Sequence, residues 1–485
     1  MSKAYQMYIN GQWLEAIDGK TFDDYNPYNG EVYARLPSGK RGDARKACDA
    51  AAAAFPDWSH TPPAERQRYF LRAADILERR QQEILNIVTQ ETGGTLGWGM
   101  FQTGFVPGLL REAAAQVHAI TGEIIPADLP GAFFMTIRQP VGVVAGIAPW
   151  NAPLILSLRA VALPMACGNT TVLKPSAEAP VSGGVIFAEV FEEAGLPRGV
   201  FNVVTNGPGF SGEVGDELIE HPKVRRLSFT GSTEVGRQIA EKAAKHLKKV
   251  TLELGGNDPL IVLKDADIGY AVNAATFGRF NHQGQVCMSS KRIIVERPVA
   301  AHFTEKFIEK VRGLKVGDPQ DPDTVIGPLI NQKQVDKLHK QVEEAIRQGA
   351  ELVCGGKYDG CCYYPTVLTN VTPDMDIARE ETFGPVAPVI IVEDADEAVR
   401  VANDSRFGLS AGVITGDFQK GLEIAERLES GMVHINDSTI HDEPQVPFGG
   451  MKESGYGRHG GRAGIEEFTE LRWISIQRTP RQYPF

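Results

Sequence analysis

Basic residues are outnumbered in this chain: 50 lysines and arginines face 61 aspartates and glutamates, a formal net charge of −11. A balance of that sign favours solubility and excludes nucleic acid as the main partner. Cysteine is sparse as well. The six present (Cys48, Cys167, Cys287, Cys354, Cys361 and Cys362) make no Cys-x-x-Cys pair and adjoin no histidine cluster, so no metal site is expected. The opening residues "MSKAYQMYINGQW" lack the basic, apolar and small-residue segments of a secretion signal. With free thiols, that leads to an expectation of the reducing cytoplasm. Long hydrophobic runs are missing, with one near exception. "VGVVAGIAPWNAPLILSL" (141–158) approaches a membrane span in length, but Pro149, Asn151 and Pro153 interrupt it and Arg159 follows. It reads as a buried strand, a turn and a helix start, and no membrane partner is expected. Low-complexity tracts and short repeats are absent too, and 42% hydrophobic with 23% charged residues is an ordinary globular composition.

At 485 residues the chain exceeds what one core usually holds. Turn signals at Asn10-Gly11 and Asn29-Gly30 separate short alternating runs that read as hairpins. Helical patterns follow from Asp43 to Ala119, and 121–140 reads as a hairpin around Pro130-Gly131. From Val141 the runs "VGVVAGI", "TTVLK", "GVFNVV", "RRLSF" and "VTLEL" recur with helical patterns between them. That alternation predicts parallel strands joined by crossover helices, a doubly wound α/β unit whose ligands bind beyond the carboxyl ends of its strands. The runs "PLIVL", "KRIIVE", "GPVAPVII", "SAGVIT" and "MVHIN" suggest a second α/β unit.

Several strand ends carry polar residues foreign to a core. "TTVLKPS" puts Lys174 directly after an apolar strand, although most such lysines are only solvated. "SFTGSTEVGRQIA" offers Gly231, Ser232 and Gly236 ahead of a helix, whose free N–H groups suit a phosphate as well as an ordinary cap. It is not a G-x-G-x-x-G fingerprint. "VTLELGGNDP" ends a third strand on Glu253, placed for acid–base work or for a cap or an arginine partner. The stretch "FNHQGQVCMSSKRIIVE" (280–296) sets the thiol of Cys287 just before a strand. A buried cysteine is more often a small hydrophobe. As a nucleophile it needs a base or a lowered pKa, for which Glu253 is a candidate. It also needs a donor to a developing oxyanion, worth roughly 2.7–4 kcal/mol, which the amide of Asn151 and the Cys287 N–H could supply.

Together "PWNAP", "LKPS", "FTGSTEVG", "LELGGNDP", "NHQGQVC", "EETFGP" and "PFGGMKESGYGR" follow in an order that resembles the aldehyde dehydrogenase superfamily over essentially the whole chain. The resemblance implies a Rossmann-like cofactor domain (1–120 and 141–254), a second α/β catalytic domain (255–452) and a small β bridging element (121–140 and 453–485) that joins subunits into a homodimer or homotetramer. It implies oxidation of an aldehyde to the acid with NAD or NADP. Cys287 would form a thiohemiacetal and then a thioester, Glu253 would activate water and Asn151 would hold the oxyanion. Lys174 and Glu381 would hold the riboses, Phe383 would meet the nicotinamide, and Gly231 and Ser232 the pyrophosphate. Trp150, Ser176, Gly236 and Leu254 complete the implied cofactor contacts, and Ala152, Arg159, Met288 and Phe448 the substrate pocket.

Two departures sharpen this. Ala152 stands where the family often has phenylalanine, and Arg159 where it often has an aromatic. A wider pocket with fixed donors suits a phenol or methoxy oxygen. "WNAPLIL" and "HDEPQVPFGG" look most like the vanillin and salicylaldehyde branch, so a hydroxylated aromatic aldehyde is expected. The alternative is an aliphatic or semialdehyde substrate, with Ala152 making room for Met288. Ala177 takes the place of a glutamate common in NAD-preferring members, with Glu178 one residue later, so both cofactors are expected to work. Glu253 disfavours a CoA-acylating type. A cysteine hydrolase with His282 as base would have no use for the dinucleotide motifs, and a catalytically silent relative would not need Cys287, Glu253 and Asn151 together.

Overall fold

The computed structural model describes residues 3–209 and 211–485. The N-terminal turn signals form as read. Asn10 and Gly11, both left-handed (φ 54° and 70°), join strands Met7–Ile9 and Gln12–Leu14, the geometry that makes Asn-Gly the favoured two-residue hairpin. Asn29-Gly30 lies between strands Thr21–Tyr25 and Val32–Pro37. Four helices follow, of which Arg41–His60 packs on the first large sheet and Pro63–Arg79, Gln81–Thr92 and Leu96–Gln116 pack on one another and on later helices.

That sheet has eight strands. Its parallel centre runs in the order Lys249–Glu253, Val224–Thr230, Val143–Ile147, Thr170–Lys174, Phe201–Val203, and the Met7–Leu14 hairpin closes one edge. Val143–Ile147 and Thr170–Lys174 are buried throughout, which is why they read as unbroken apolar runs. The order reverses between Val143–Ile147 and Val224–Thr230, and such a switch point opens a crevice at the carboxyl ends. The near-membrane run resolves into strand Val143–Ile147, a turn, and helix Pro153–Ala166, apolar on every face except for Ser157 and Arg159. Among the described residues no helix is long and apolar enough to cross a membrane.

A second sheet of seven strands centres on Asp258–Val262, Ser290–Glu296 and Val386–Val392, with Ser410–Ile414 and Met432–Ile435 continuing it in parallel. Its starting ends, at Asp258, Ser290 and Ser410, face the crevice: the Ser410 N–H donates to Asp258 Oδ1 at 2.7 Å. A third sheet pairs Ala132–Pro140 with Ile124–Ile125 on one side and, over nine residues, Thr469–Gln477 on the other.

One expected boundary shifts. Residues 453–485 do not all belong to that third sheet. Gly455–Tyr456 pairs antiparallel with Leu252–Glu253, and the Leu254 N–H donates to the Ser454 carbonyl at 3.0 Å. The short strand covers the exposed edge of the first sheet, as edges require. Helix Gly461–Phe468 then packs on Pro153–Ala166 before the chain reaches the third sheet.

Candidate active site

The carboxyl ends of the first sheet converge on one place. Strand Val143–Ile147 leads into Trp150 and Asn151, Thr170–Lys174 ends on Lys174, Val224–Thr230 leads to Gly231 and Ser232, and Lys249–Glu253 ends on Glu253. From the second sheet comes the segment holding Cys287, just ahead of strand Ser290–Glu296.

That segment is backbone-constrained. His282, Gln283 and Gly284 are left-handed in succession, with φ 48°, 54° and 71°, a conformation non-glycine residues adopt at a cost. Gln283 Nε2 donates to the carbonyls of Gly93 (3.0 Å) and Pro328 (2.9 Å), and the Ile330 N–H donates to Gln285 Oε1 at 3.0 Å. These anchors over-determine the turn. Asn151 Nδ2 donates to the Gln285 carbonyl at 3.0 Å, which fixes the amide two residues before the thiol and leaves its second N–H for another acceptor. Trp98 Nε1 in turn donates to the Asn151 carbonyl at 3.0 Å, and its indole stacks on His282 at 4.9 Å.

Cys287 is half-buried between buried Val286 and Met288. It packs on one apolar cluster that contains Ala152, Ile155, Met288, Ile440 and Phe448. Three of the expected pocket residues, Ala152, Met288 and Phe448, belong to that cluster, and the fourth adjoins it: the Arg159 guanidinium lies 4.3 Å from the centre of Phe448. Arg159 is less free than expected. Its Nη2 donates to Asp442 at 2.6 Å, both side chains being buried, whereas Nη1 is buried without a hydrogen-bond partner among the described residues. Burial pushes the Cys287 thiol up to about 12, Lys291 pulling it down and Glu253 pushing it further up. Burial likewise raises Glu253 to about 8, moderated by Arg159 and Arg458. Both Glu253 oxygens lack a hydrogen bond among the described residues, and a Cβ at Gly449 would lie 2.6 Å from Oε1. The bare glycine gives the carboxylate its room.

His282 offers no base. Among the described residues neither ring nitrogen has a hydrogen-bond partner, Cys287 included, and burial lowers it to about 3.

Lys174 is buried, its ammonium holding only the Pro175 carbonyl (3.4 Å) among the described residues, and burial lowers it to about 8. A buried amine so poorly satisfied suits an added acceptor such as a ribose hydroxyl. Ser232 caps helix Thr233–Ala244, taking the Val235 N–H at 3.4 Å, and a side chain at Gly236 would collide with Leu254. Trp150 and Phe383 meet edge to face at 5.6 Å, and the Gly256 N–H donates to Glu381 Oε1 at 3.1 Å. The Glu178 N–H donates to Ser176 Oγ at 3.2 Å. The Glu178 carboxyl is hydrogen-bonded by Asn331. These residues fit a dinucleotide.

Sequence reasoning missed Asp442, Trp98, Asp258 and Lys291. Arg159 inside an apolar helix did signal a need for a buried carboxylate, but the partner lies 283 residues away.

Comparison with known proteins places this geometry. The model of the aldehyde dehydrogenase family matches residues 13–474. A vanillin dehydrogenase of Pseudomonas sp. strain HR199 is 49% identical over 476 residues, 98% of each chain. A benzaldehyde dehydrogenase of Bacillus subtilis strain 168 is 44% identical, covering 99% of this chain and 98% of that one. The crystal structure of a salicylaldehyde dehydrogenase from Pseudomonas putida G7, complexed with salicylaldehyde, superposes with a TM-score of 0.98 at 43% identity over 100% of both chains.

Proposed function

We propose, from the premise that this chain belongs to the aldehyde dehydrogenase family, that its substrate is a hydroxylated aromatic aldehyde such as vanillin or a benzaldehyde. The activity is NAD(P)-dependent oxidation of an aldehyde to the carboxylic acid. One observation carries the aromatic reading: Arg159 sits over Phe448 beside the Cys287 cluster with a buried Nη1 donor to spare. A phenol or methoxy oxygen would satisfy it, and an alkyl chain would leave it unpaired, which costs binding. The vanillin, benzaldehyde and salicylaldehyde activities named for the relatives support the same class.

In this reading the Cys287 thiol gives up its proton to a base, the thiolate adds to the aldehyde carbon as the C=O π bond breaks, and Asn151 Nδ2 with the Cys287 N–H hold the oxygen that gains charge. A nicotinamide dinucleotide, when bound, supplies the acceptor for the hydride and its two electrons. Loss of hydride leaves a thioester on Cys287. Glu253 takes a proton from water, the resulting hydroxide adds to the thioester carbon, and the thiolate leaves, releasing the carboxylic acid. Lys174 and Glu381 hold the riboses, with Trp150, Ser176, Leu254, Gly231, Ser232, Gly236 and Phe383 around the rest of the cofactor. With Ala177 small and Glu178 engaged by Asn331, no carboxylate repels a 2′-phosphate, so NAD and NADP both serve. A preference of about a thousandfold for either would overturn that part.

The domain division follows the sheets, with the first as cofactor domain and the second as catalytic domain. The third sheet exposes Ile124, Ile137, Leu471, Trp473 and Ile476, an apolar patch of the kind that marks a subunit contact, and a homodimer or homotetramer covers it. Six free thiols suit the reducing cytoplasm.

The test is kcat/KM for vanillin against hexanal at saturating NAD. We expect a preference for vanillin of about a hundredfold. Equal or better turnover of hexanal removes the aromatic assignment and leaves aldehyde oxidation standing.

A further inference from the structure

Beside Cys287, opposite the Arg159 pocket, lies a buried lysine that the scheme above leaves unused. Lys291 opens strand Ser290–Glu296, where a lysine would normally reach water, yet its side chain is 0% exposed. Its Nζ donates to the carbonyl of Cys287 and, at 3.1 Å, to that of Val286. It also lies 3.5 Å from Asp258 Oδ2 and 3.7 Å from Glu381 Oε1. Asp258 is buried, and its Oδ2 has no hydrogen-bond partner among the described residues. The approach depends on missing side chains: a Cβ at Gly256 would stand 2.7 Å from the Cys287 carbonyl and 2.6 Å from Asp258 Oδ2. Three segments thus meet on one ammonium: the thiol segment, the start of Asp258–Val262, and the loop carrying Glu381 and Phe383.

We propose that Lys291 is a positioning residue, tying the Cys287 backbone to Asp258 and Glu381 so that its charge favours the thiolate and holds the Glu381 carboxylate ready for a cofactor ribose. The inference rests on the reading of Cys287 as nucleophile and Glu381 as a cofactor contact. Carboxylates face the thiol from three elements: Glu253 from strand Lys249–Glu253, Asp258 from the second sheet, and Glu381 from the loop before Val386–Val392. All three oppose the thiolate, and Lys291 acts against them. Arg279, the other buried cation of this loop, is spent on the carbonyls of Thr382, Gly384 and Val386 and on Ser289 Oγ. It steadies the same loop through backbone groups.

A merely structural ion pair and a thiol-tuning lysine differ in the sign of their effects. The experiment is the pH dependence of iodoacetamide alkylation of the full chain, read at the Cys287 peptide by mass spectrometry, together with KM for NAD. Lys291→Met is expected to raise the alkylation midpoint by about one pH unit, a tenfold loss of thiolate below it, and to raise KM for NAD about fivefold. Lys291→Arg restores most of both. Asp258→Asn keeps an acceptor for the Ser410 N–H and removes an opposing charge, so it moves the midpoint down. Should Lys291→Met fail to fold, the sign seen in Asp258→Asn decides alone. Unmoved midpoints in folded variants, or an upward shift in Asp258→Asn, overturn the proposal. Turnover surviving in Cys287→Ala would instead overturn the reading of the thiol itself.

Discussion

Two buried charge clusters reach the candidate site, one acting on Glu253 and one on Cys287, and they are built differently. On the substrate side one cation meets one carboxylate: Arg159 and Asp442, 2.6 Å apart. On the cofactor side one cation, Lys291, meets two, Asp258 and Glu381. A guanidinium has five donors in a fixed plane, so Arg159 can pair with Asp442, stack on Phe448 and still keep a donor without a partner. An ammonium has three, and Lys291 commits its own to backbone carbonyls and carboxylates. The first cluster is therefore equipped to receive a ligand. The second is equipped to hold machinery in place.

The largest expected effect strikes what both clusters serve. Cys287→Ala should lower aldehyde oxidation by at least about a thousandfold whatever the substrate, measured as reduced nicotinamide formation. Replacing the base comes next. Glu253→Gln should slow thioester hydrolysis about 10²–10⁴-fold while a burst of reduced cofactor survives; loss of the burst would mean that Glu253 also activates the thiol. Because burial sets Glu253 near 8 and the base works only when ionised, wild-type hydrolysis should fall about tenfold per pH unit below pH 8 and level off above it. Single-turnover thioester decay across pH 6–10 checks this.

The substrate-side cluster predicts a smaller, more selective change. Arg159→Met strands a buried carboxylate, costing about 3–5 kcal/mol of stability, seen as a lower Tm. The double variant Arg159→Met/Asp442→Leu should recover Tm and still lose about tenfold or more of the vanillin preference. Recovery of both would sever the link between this pair and aromatic recognition. The smallest effect is expected from Trp98→Phe, which removes the hydrogen bond to the Asn151 carbonyl. At about 1 kcal/mol, kcat should drop about fivefold with little change in KM.

Much of this was legible in the sequence, and the limits are instructive. The parallel strands announced themselves because buried strands are continuous apolar runs, and the strand-end residues Lys174, Ser232 and Glu253 stood out as polar exceptions beside them. The order of those strands was not legible, since apolar runs carry no record of their neighbours. Nor was the edge strand Gly455–Tyr456, because two residues have no periodicity. Asp442 was present in a quoted motif, but only the fold brings it to Arg159. Lys291 carried no signal in the sequence; its burial comes from partners, Asp258 and Glu381, that only the fold brings to it.

The left-handed run His282–Gln283–Gly284 bears on how this enzyme could be redesigned. A side chain at Gly284 would collide with the Gly384 carbonyl, and the two residues before it already hold a backbone most side chains resist. Variant libraries aimed at this segment would consist largely of unfolded or misaligned products. Helix Pro153–Ala166 has ordinary helical backbone, so Ile155 can change alone, and Arg159 together with its partner Asp442, without disturbing the turn. Substrate range is therefore best diversified from the helix, with the nucleophile's own loop left as it is.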